Sequence, residues 1–315
     1  MNYRTLGRTG LRVSEIGFGA WAIGGPTKLG DKNIGWGPVD DETSLRTLQT
    51  ALDSGINFYD TADVYGWGHS EELVGKAFAG KRDKVIIASK VGNRIDEDGK
   101  WVKDFSRGWV EKAIDASLKR LRTDYIDLYQ LHSPNADFEY SDEIFEVFED
   151  LQKSGKIRFY GVSIGSVAHG LQLAKMDKGD VFQVVYNILH REPEEKLFEI
   201  AQEKNIGIIA RVPLASGFLT GKFKTGHTFH ADDHRASKSR DEIDSTIEKV
   251  DKLRFLAAEG KRTMAQAALQ FCLAHPAVST AIPGAKTEEQ VRMNAAASEI
   301  KALNTPELEK IRKIF

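Results

Sequence analysis

Eight short apolar runs recur along this chain, and the stretches between them carry the spacing of amphipathic helices. The runs are Ile16–Gly19, Asn57–Asp60, Val85–Lys90, Ile126–His132, Ile157–Ser163, Val181–Asn187, Ile206–Arg211 and Val278–Pro283. Most are rich in β-branched residues and lack the polar alternation of a sheet with one wet face. Strands of that kind are covered on both faces, as in parallel α/β sheets. The intervening segments show helix signals. Leu45, Leu48 and Leu52 share a face before Gly55. Val110, Ile114, Ser117, Leu118 and Leu121 do so after a candidate Ser106 cap. Ile144, Phe145, Phe148 and Leu151 follow Ser141 and end near Gly155. Ahead of the first run, Tyr3–Leu6, a turn through Gly7-Arg8-Thr9-Gly10, and Leu11–Val13 read as a hairpin.

Eight strands alternating with helices, and no long linker, predict one domain over residues 1–315. The predicted fold is α/β: a closed (β/α)8 TIM barrel with an N-terminal β-hairpin and long loops at its C-terminal face. The rival is an open doubly wound sheet, which would want Gly-x-Gly-x-x-Gly after an early strand. Gly17-Phe18-Gly19-Ala20-Trp21-Ala22 has alanine where the third glycine belongs, and no helical pattern follows.

Bulk properties remove several classes of function. Hydrophobic residues make up 41% and charged residues 29%, an ordinary globular balance. A net charge of −2 gives no general pull toward nucleic acid or an anionic membrane, so neither is expected as a partner. The single cysteine, Cys272, lies in an apolar helical run and reads as a buried residue. Met1-Asn2-Tyr3-Arg4 carries no apolar signal core, and no apolar stretch is long enough to span a bilayer, so a cytoplasmic location is expected. No coiled-coil heptad appears, and no local pattern sets an oligomeric state.

Four polar residues stand at or just past the ends of successive runs. Asp60, Lys90 and His132 close the second, third and fourth, and Tyr65 lies in the loop after Asp60. In a parallel α/β protein the strand C-termini share one face, which holds the active site. A free tyrosine has a pKa near ~10 and is a poor acid at neutral pH. A nearby ammonium stabilises the phenolate and makes the phenol more acidic. Lys90 can supply that charge, Asp60 can hold Lys90 in place, and His132 can hydrogen-bond a substrate oxygen. The four together predict proton transfer beside a carbonyl. Singly, a Lys–Asp pair is also a plain structural ion pair, and a tyrosine after a strand is also packing.

Three segments break the alternation: Gly24 to Asp41, Val91 to Phe105, and Leu214 to Asp244. Each follows a strand, so each is expected over the mouth as a lid or pocket wall. Trp21, Trp36, Trp67 and Trp101 are expected to line the substrate mouth, with barrel packing the alternative for each. In the third segment, His227, His230 and His234 with Asp232 and Asp233 resemble a metal-ligand cluster, as a barrel hydrolase would need. Their spacing falls in a polar loop rather than on strand ends, so the expectation is no metal and a solvated loop.

Several motifs resemble those of the aldo-keto reductase superfamily. Gly55-Ile56-Asn57-Phe58-Tyr59-Asp60-Thr61-Ala62-Asp63-Val64-Tyr65-Gly66 is similar to its signature. Ala88-Ser89-Lys90, Leu131-His132-Ser133-Pro134, Gly161-Val162-Ser163 and Gln183-Val184-Val185-Tyr186-Asn187 match later motifs in order. The resemblance covers nearly the whole chain. It implies a barrel oxidoreductase that reduces aldehydes or ketones with NADPH. Asp60, Tyr65, Lys90 and His132 would form its catalytic tetrad, with Tyr65 as proton donor. Relatives that hold NADPH as a regulatory or sensor module for a protein partner keep the same tetrad, so that reading stands beside the enzyme.

The resemblance also implies a cofactor site. Gly19, Ala20 and Trp21 would border it after the first strand, and Ser163 and Gln183 would hold the carboxamide. The loop carrying Pro213, Leu214, Gly217, Leu219, Gly221 and Lys222 would wrap the pyrophosphate, its glycines letting backbone N–H groups approach. Ile282, Gly284 and Lys286 follow the eighth strand, where barrels often bind phosphate at a helix N-terminus. Lys286 would pair with the adenosine 2′-phosphate, Gln290 would support it, and Asn294 would contact the adenine. Thr287-Glu288-Glu289-Gln290 is equally a capping box. Two residues depart from the family pattern. Arg211 stands where many members stack an aromatic ring on the nicotinamide, and its charge would favour an acidic substrate or tune the cofactor. Ile164 stands where many have asparagine.

Overall fold

The computed structural model describes residues 1–29, 32–257 and 260–315. Its centre is a sheet of eight parallel strands: β1 (Phe18–Gly19), β2 (Phe58–Asp60), β3 (Ile86–Val91), β4 (Ile126–His132), β5 (Ile157–Ser163), β6 (Val181–Val185), β7 (Gly207–Arg211) and β8 (Val278–Ala281). Each strand pairs with the next in sequence. The Gly17 N–H donates to Ala281 O at 2.8 Å and the Gly19 N–H to Pro283 O at 3.0 Å, which joins the first strand to the last and closes the barrel. Among the described residues, ten α-helices follow the strands: α1 (Asp41–Asp53), α2 (His69–Ala77), α3 (Arg107–Leu121), α4 (Asp142–Lys153), α5 (Val167–Met176), α6 (Leu197–Glu203), α7 (Arg240–Asp251), α8 (Met264–Ala274), α9 (Glu288–Ala296) and α10 (Thr305–Ile314). Ser106 caps α3 by accepting from the Trp109 N–H. α4 starts after Ser141 as expected, though that hydroxyl makes no cap bond.

Alternate residues of a strand face opposite sides, and here the alternation sorts the chemistry. One set, including Tyr59, Ile87, Tyr129, Leu131 and Phe182, packs outward against the helices. The other set faces the barrel axis. Its lower layer is apolar: Phe58, Ala88, Leu128, Val181 and Ile209. Two residues further along the same strands come Asp60, Lys90, Gln130, Gln183 and Arg211, with His132 and Ser163 at the rim. The inward face thus changes from oil to charge toward the strand C-termini, and the site follows from that change.

The hairpin, Tyr3–Thr5 paired antiparallel with Arg12–Ser14, plugs the opposite end. Leu6, Leu11 and Val13 complete the apolar layer inside the barrel. The plug fits because Gly7 has a left-handed φ of 49° and lies so close that a Cβ there would come within 2.2 Å of the Gly207 nitrogen.

Strand ends differ from the sequence expectation by a few residues. The sixth strand stops at Val185 rather than Asn187 and the eighth at Ala281 rather than Pro283. The larger correction lies in the segment from Leu214 to Asp244, whose last residues are not loop. They open α7 at Arg240, where Ser239 and Glu242 form a reciprocal capping box. The other two segments hold short hairpins. Asn93–Ile95 pairs with Trp101–Lys103, and Lys28–Leu29 with Lys32–Asn33. Residues 30 and 31 of the Gly24 to Asp41 segment lie outside the described residues. Among the described residues no helix is long and apolar enough to cross a membrane.

Candidate active site

Lys90 is fully buried, and its ammonium uses all three donors. Nζ donates to Asp60 Oδ1 at 2.6 Å, to Thr61 O at 2.8 Å and to Tyr65 Oη at 3.2 Å. The other Asp60 oxygen, Oδ2, accepts from Gln183 Nε2 at 2.7 Å and from Gln130 Nε2 at 3.4 Å. A buried ion pair is tolerable only when the remaining lone pairs are satisfied in this way. Burial works against the Lys90 charge, but Asp60 and then Tyr65 outweigh it and leave its pKa raised. The lysine therefore stays an ammonium across the neutral range.

Tyr65 and His132 meet edge to face above that pair, with ring centroids 5.7 Å apart. Burial pushes the Tyr65 phenol up, and the Lys90 ammonium pulls it back. The sequence expectation named only the second effect; burial is the larger in the chain alone. Burial, then Lys90, Lys103 and Arg211, hold the His132 imidazole well below its ordinary value, so it is neutral. A neutral imidazole still offers one N–H to a substrate oxygen. Its Nδ1 is buried without a protein partner. A phenol tied to an ammonium, beside a neutral imidazole, can give a proton to a carbonyl oxygen and steady the charge left behind.

Two of the three long segments close over this floor. Trp21 stacks on Tyr65 with centroids 6.0 Å apart. Trp36 and His234 pack on Trp21 and on each other, at 4.3 to 5.4 Å. Trp36 and Asp233 form an antiparallel bridge, and the His234 N–H donates to Gly35 O at 3.3 Å. Arg235 holds the far side, pairing with Asp233 through Nε at 2.9 Å and donating to Ser216 O at 3.0 Å. Trp21 and Trp36 thus roof the site as expected. Trp67 and Trp101 are 40% and 41% exposed and stand on the outer rim.

The expected cofactor residues lie around the mouth from β5 round to β1. Ser163 Oγ is 3.2 Å from Ser133 Oγ, and Gln183 spends an amide N–H on Asp60. Arg211 Nη2 donates to Ile164 O at 3.3 Å, while its Nε is buried with no partner. The chain then turns sharply. Val212, Ala215 and Ser216 are left-handed at φ of 54°, 46° and 54°, followed by Gly217 at 87°. A β-branched residue in that region is strained, at a cost of about 1–3 kcal/mol, and such strain collects at ligand clamps. Pro213, Leu214, Leu219, Gly221 and Lys222 belong to the same turn. After β8, a Cβ on Gly284 would meet only ordinary contacts, 3.4 Å from Ala22 Cβ, so packing does not demand a glycine there. Asn294 is buried on α9. The unpartnered Arg211 Nε, the strained turn and the open Gly284 fit an elongated polyanionic cofactor.

Lys286 already has partners within the chain. Its Nζ donates to Trp36 O at 2.6 Å and to Pro38 O at 3.3 Å. Gln290 divides its roles: its N–H bonds the Thr287 hydroxyl at 3.3 Å, but its Oε1 accepts from the Lys286 N–H at 2.8 Å. Only half of a capping box forms, and the other half steadies the backbone of Lys286.

The histidines of the third segment are dispersed. His227 packs on Phe223 and Phe229, His230 is exposed beside Asp232, and His234 belongs to the roof. Among the described residues no three His, Cys, Asp or Glu side chains gather as metal ligands. Four residues at the mouth escaped the sequence reading: Gln130, Asp63, Lys103 and Arg235. Gln130 had a signal, since it shares the inward alternation of Leu128 and His132. Lys103 is placed by its bond to the end of β4 and Arg235 by its contact with Trp36, neither of which a local pattern shows.

A sequence model of the aldo/keto reductase family matches residues 15–315. The chain is 36% identical to the aldo-keto reductase YhdN of Bacillus subtilis, over 95% of this chain and 88% of that protein. It is 31% identical to a probable voltage-gated potassium channel subunit beta of Oryza sativa, over 98% and 94%. The solved holo form of aldo-keto reductase AKR11C1 from Bacillus halodurans superposes with a TM-score of 0.82 at 36% identity, covering 100% and 96% of the two chains.

Proposed function

The chain belongs to the aldo/keto reductase family, and we propose that it reduces aldehydes or ketones to alcohols with NADPH, using Tyr65 as the proton donor. The observation that carries this reading is the chain of contacts from Asp60 through Lys90 to the Tyr65 hydroxyl. When bound, the reduced nicotinamide supplies a hydride to the carbonyl carbon. His132 orients the carbonyl oxygen through its N–H. Tyr65 Oη releases its proton to that oxygen, and the Lys90 ammonium stabilises the phenolate that remains. Asp60 keeps Lys90 charged and aimed. The roof of Trp21, Trp36 and His234 keeps water from the reacting atoms.

Arg211, Ser163 and Gln183 would line the nicotinamide end of the cofactor site, and the strained turn from Pro213 to Lys222 would hold the pyrophosphate. Lys286 pairs with the adenosine 2′-phosphate, exchanging the Trp36 and Pro38 carbonyls for a stronger charge-assisted bond. That exchange is the basis for choosing NADPH over NADH. The buried free thiol of Cys272 suits a cytosolic enzyme. The likeness to a channel subunit favours a second reading, in which the same site holds NADPH as a sensor for a protein partner.

The test is the loss of reduced-nicotinamide absorbance with a reactive aromatic aldehyde, run with NADPH and NADH in parallel. NADPH is expected to be consumed faster. In Lys286→Ala the KM for NADPH rises about tenfold or more and that for NADH stays, the size of one hydrogen bond to a charged group. Equal use of both cofactors by both proteins would remove the Lys286 assignment. Tight NADPH binding with no turnover of any carbonyl would favour the sensor.

A further inference from the structure

We propose that the mouth selects carbonyl substrates bearing a carboxylate, which the Lys103 ammonium binds beside Arg211. The inference rests on the reductase reading above and names its substrate class.

Lys103 ends the hairpin that follows β3, paired with Asn93 across it. The hairpin carries the side chain inward over the end of β4, where Nζ donates to the carbonyl oxygen of His132 at 2.7 Å. The ammonium therefore sits one backbone unit from the imidazole that meets the substrate oxygen. It is half-buried, 5.4 Å from the centre of the Trp101 ring. The His132 carbonyl uses one of its three donors. Among the described residues it forms no ion pair.

Several other cations, buried or half-buried, are paired with carboxylates, although half-buried Lys286 is held by two carbonyls. Lys90 has Asp60 at 2.6 Å, Arg120 has Glu71 at 2.7 Å, and Arg82 has Asp127 at 2.6 Å. Arg211 resembles Lys103 instead: one carbonyl partner, a buried Nε with none and, among the described residues, no ion pair. Both cations act on the same imidazole. The acids nearby do not balance them. Asp60 is committed to Lys90, Gln183 and Gln130. Asp63 has a buried, unpartnered Oδ1, and burial followed by Glu71 pushes its carboxyl well up, which weakens it as a counter-charge.

The wall around the reacting carbonyl is therefore more positive than negative in a chain whose net charge is −2. Cations taken from water without a partner are unfavourable, and an arriving anion removes that penalty. A neutral carbonyl compound gains nothing from Lys103, whereas one with a carboxylate gains a charge-assisted bond. Lys103 is held at the end of β4, whereas Lys286 follows β8, so the anion at Lys103 is assigned to the substrate.

The experiment compares kcat/KM for 4-oxobutanoate, its methyl ester and glyceraldehyde 3-phosphate in the parent, Lys103→Met and Lys103→Arg. The parent is expected to prefer the acid to the ester. In Lys103→Met the acid-to-ester ratio falls about tenfold, through KM, and Lys103→Arg restores most of it. A parent that treats acid and ester alike would overturn the proposal. So would a Lys103→Met variant that loses both together with the ratio intact, because Lys103 would then be only a strut for the hairpin. Preference for the phosphate over the acid would overturn the carboxylate assignment. Succinate binding, followed by tryptophan fluorescence, gives a readout independent of turnover. It is expected in the parent and weaker in Lys103→Met. Its absence from the parent contradicts this inference, whereas its presence without reduction of any carbonyl contradicts the reductase reading instead.

Discussion

Lys90 and Lys103 both act on the His132 imidazole, one from the barrel wall and one from the rim, and their surroundings are opposite. Lys90 has a carboxylate, a carbonyl and a phenol, one for each of its protons, and no solvent. Lys103 has one carbonyl and an open charge. Strands position the first with paired neighbours on both sides. A hairpin positions the second without an ion pair among the described residues. On the proposed reading the difference separates two tasks: the strand ends would hold the preorganised acid, and Lys103 at the rim, without an ion-pair partner, would discriminate between substrates.

The largest effect that would break this comparison is on stability. Lys90→Met leaves the Asp60 carboxylate buried without its partner, at a cost of about 3–5 kcal/mol. Lys103→Met at the rim costs under about 1 kcal/mol, because its partner is a single carbonyl. Urea unfolding of the two variants measures both, and equal losses would erase the distinction between wall and rim. A smaller effect sharpens it. Burial, assisted by Arg211 and opposed by Asp63, brings Lys103 down to about 8. Lys90 is raised instead and stays charged there. The acid-to-ester ratio of kcat/KM, which reports the free enzyme, should therefore fall as pH rises through about 8. The ester rate should show no matching step from Lys103. A ratio that is flat from neutrality past that point would mean that Lys103 does not face the substrate.

The same contrast explains what the sequence disclosed. Asp60, Lys90 and His132 end recognisable apolar runs, and period-two alternation aims them inward, so strand order alone brings them together. Tyr65 follows from its place in the loop after β2. Ser106 and its helix were visible for an equally local reason. Lys103 reaches the end of β4, while Arg235 and Lys286 reach back to Trp36 across most of the chain, and no local pattern encodes such meetings. Val212 is further still from legibility, because a β-branched residue is the last expected in a left-handed turn. α7 is the opposite case: Ser239 and Glu242 spell a capping box inside a stretch otherwise read as loop.

The central claim is that Tyr65 gives the proton under the control of Lys90. The direct measurement is single-turnover reduction of an aromatic aldehyde by parent and Tyr65→Phe, with NADPH binding followed by tryptophan fluorescence in the same samples. The account predicts that Tyr65→Phe binds NADPH like the parent and loses about 10²–10⁴-fold in the rate of reduction. A variant that binds the cofactor and reduces the aldehyde at the parental rate would contradict it.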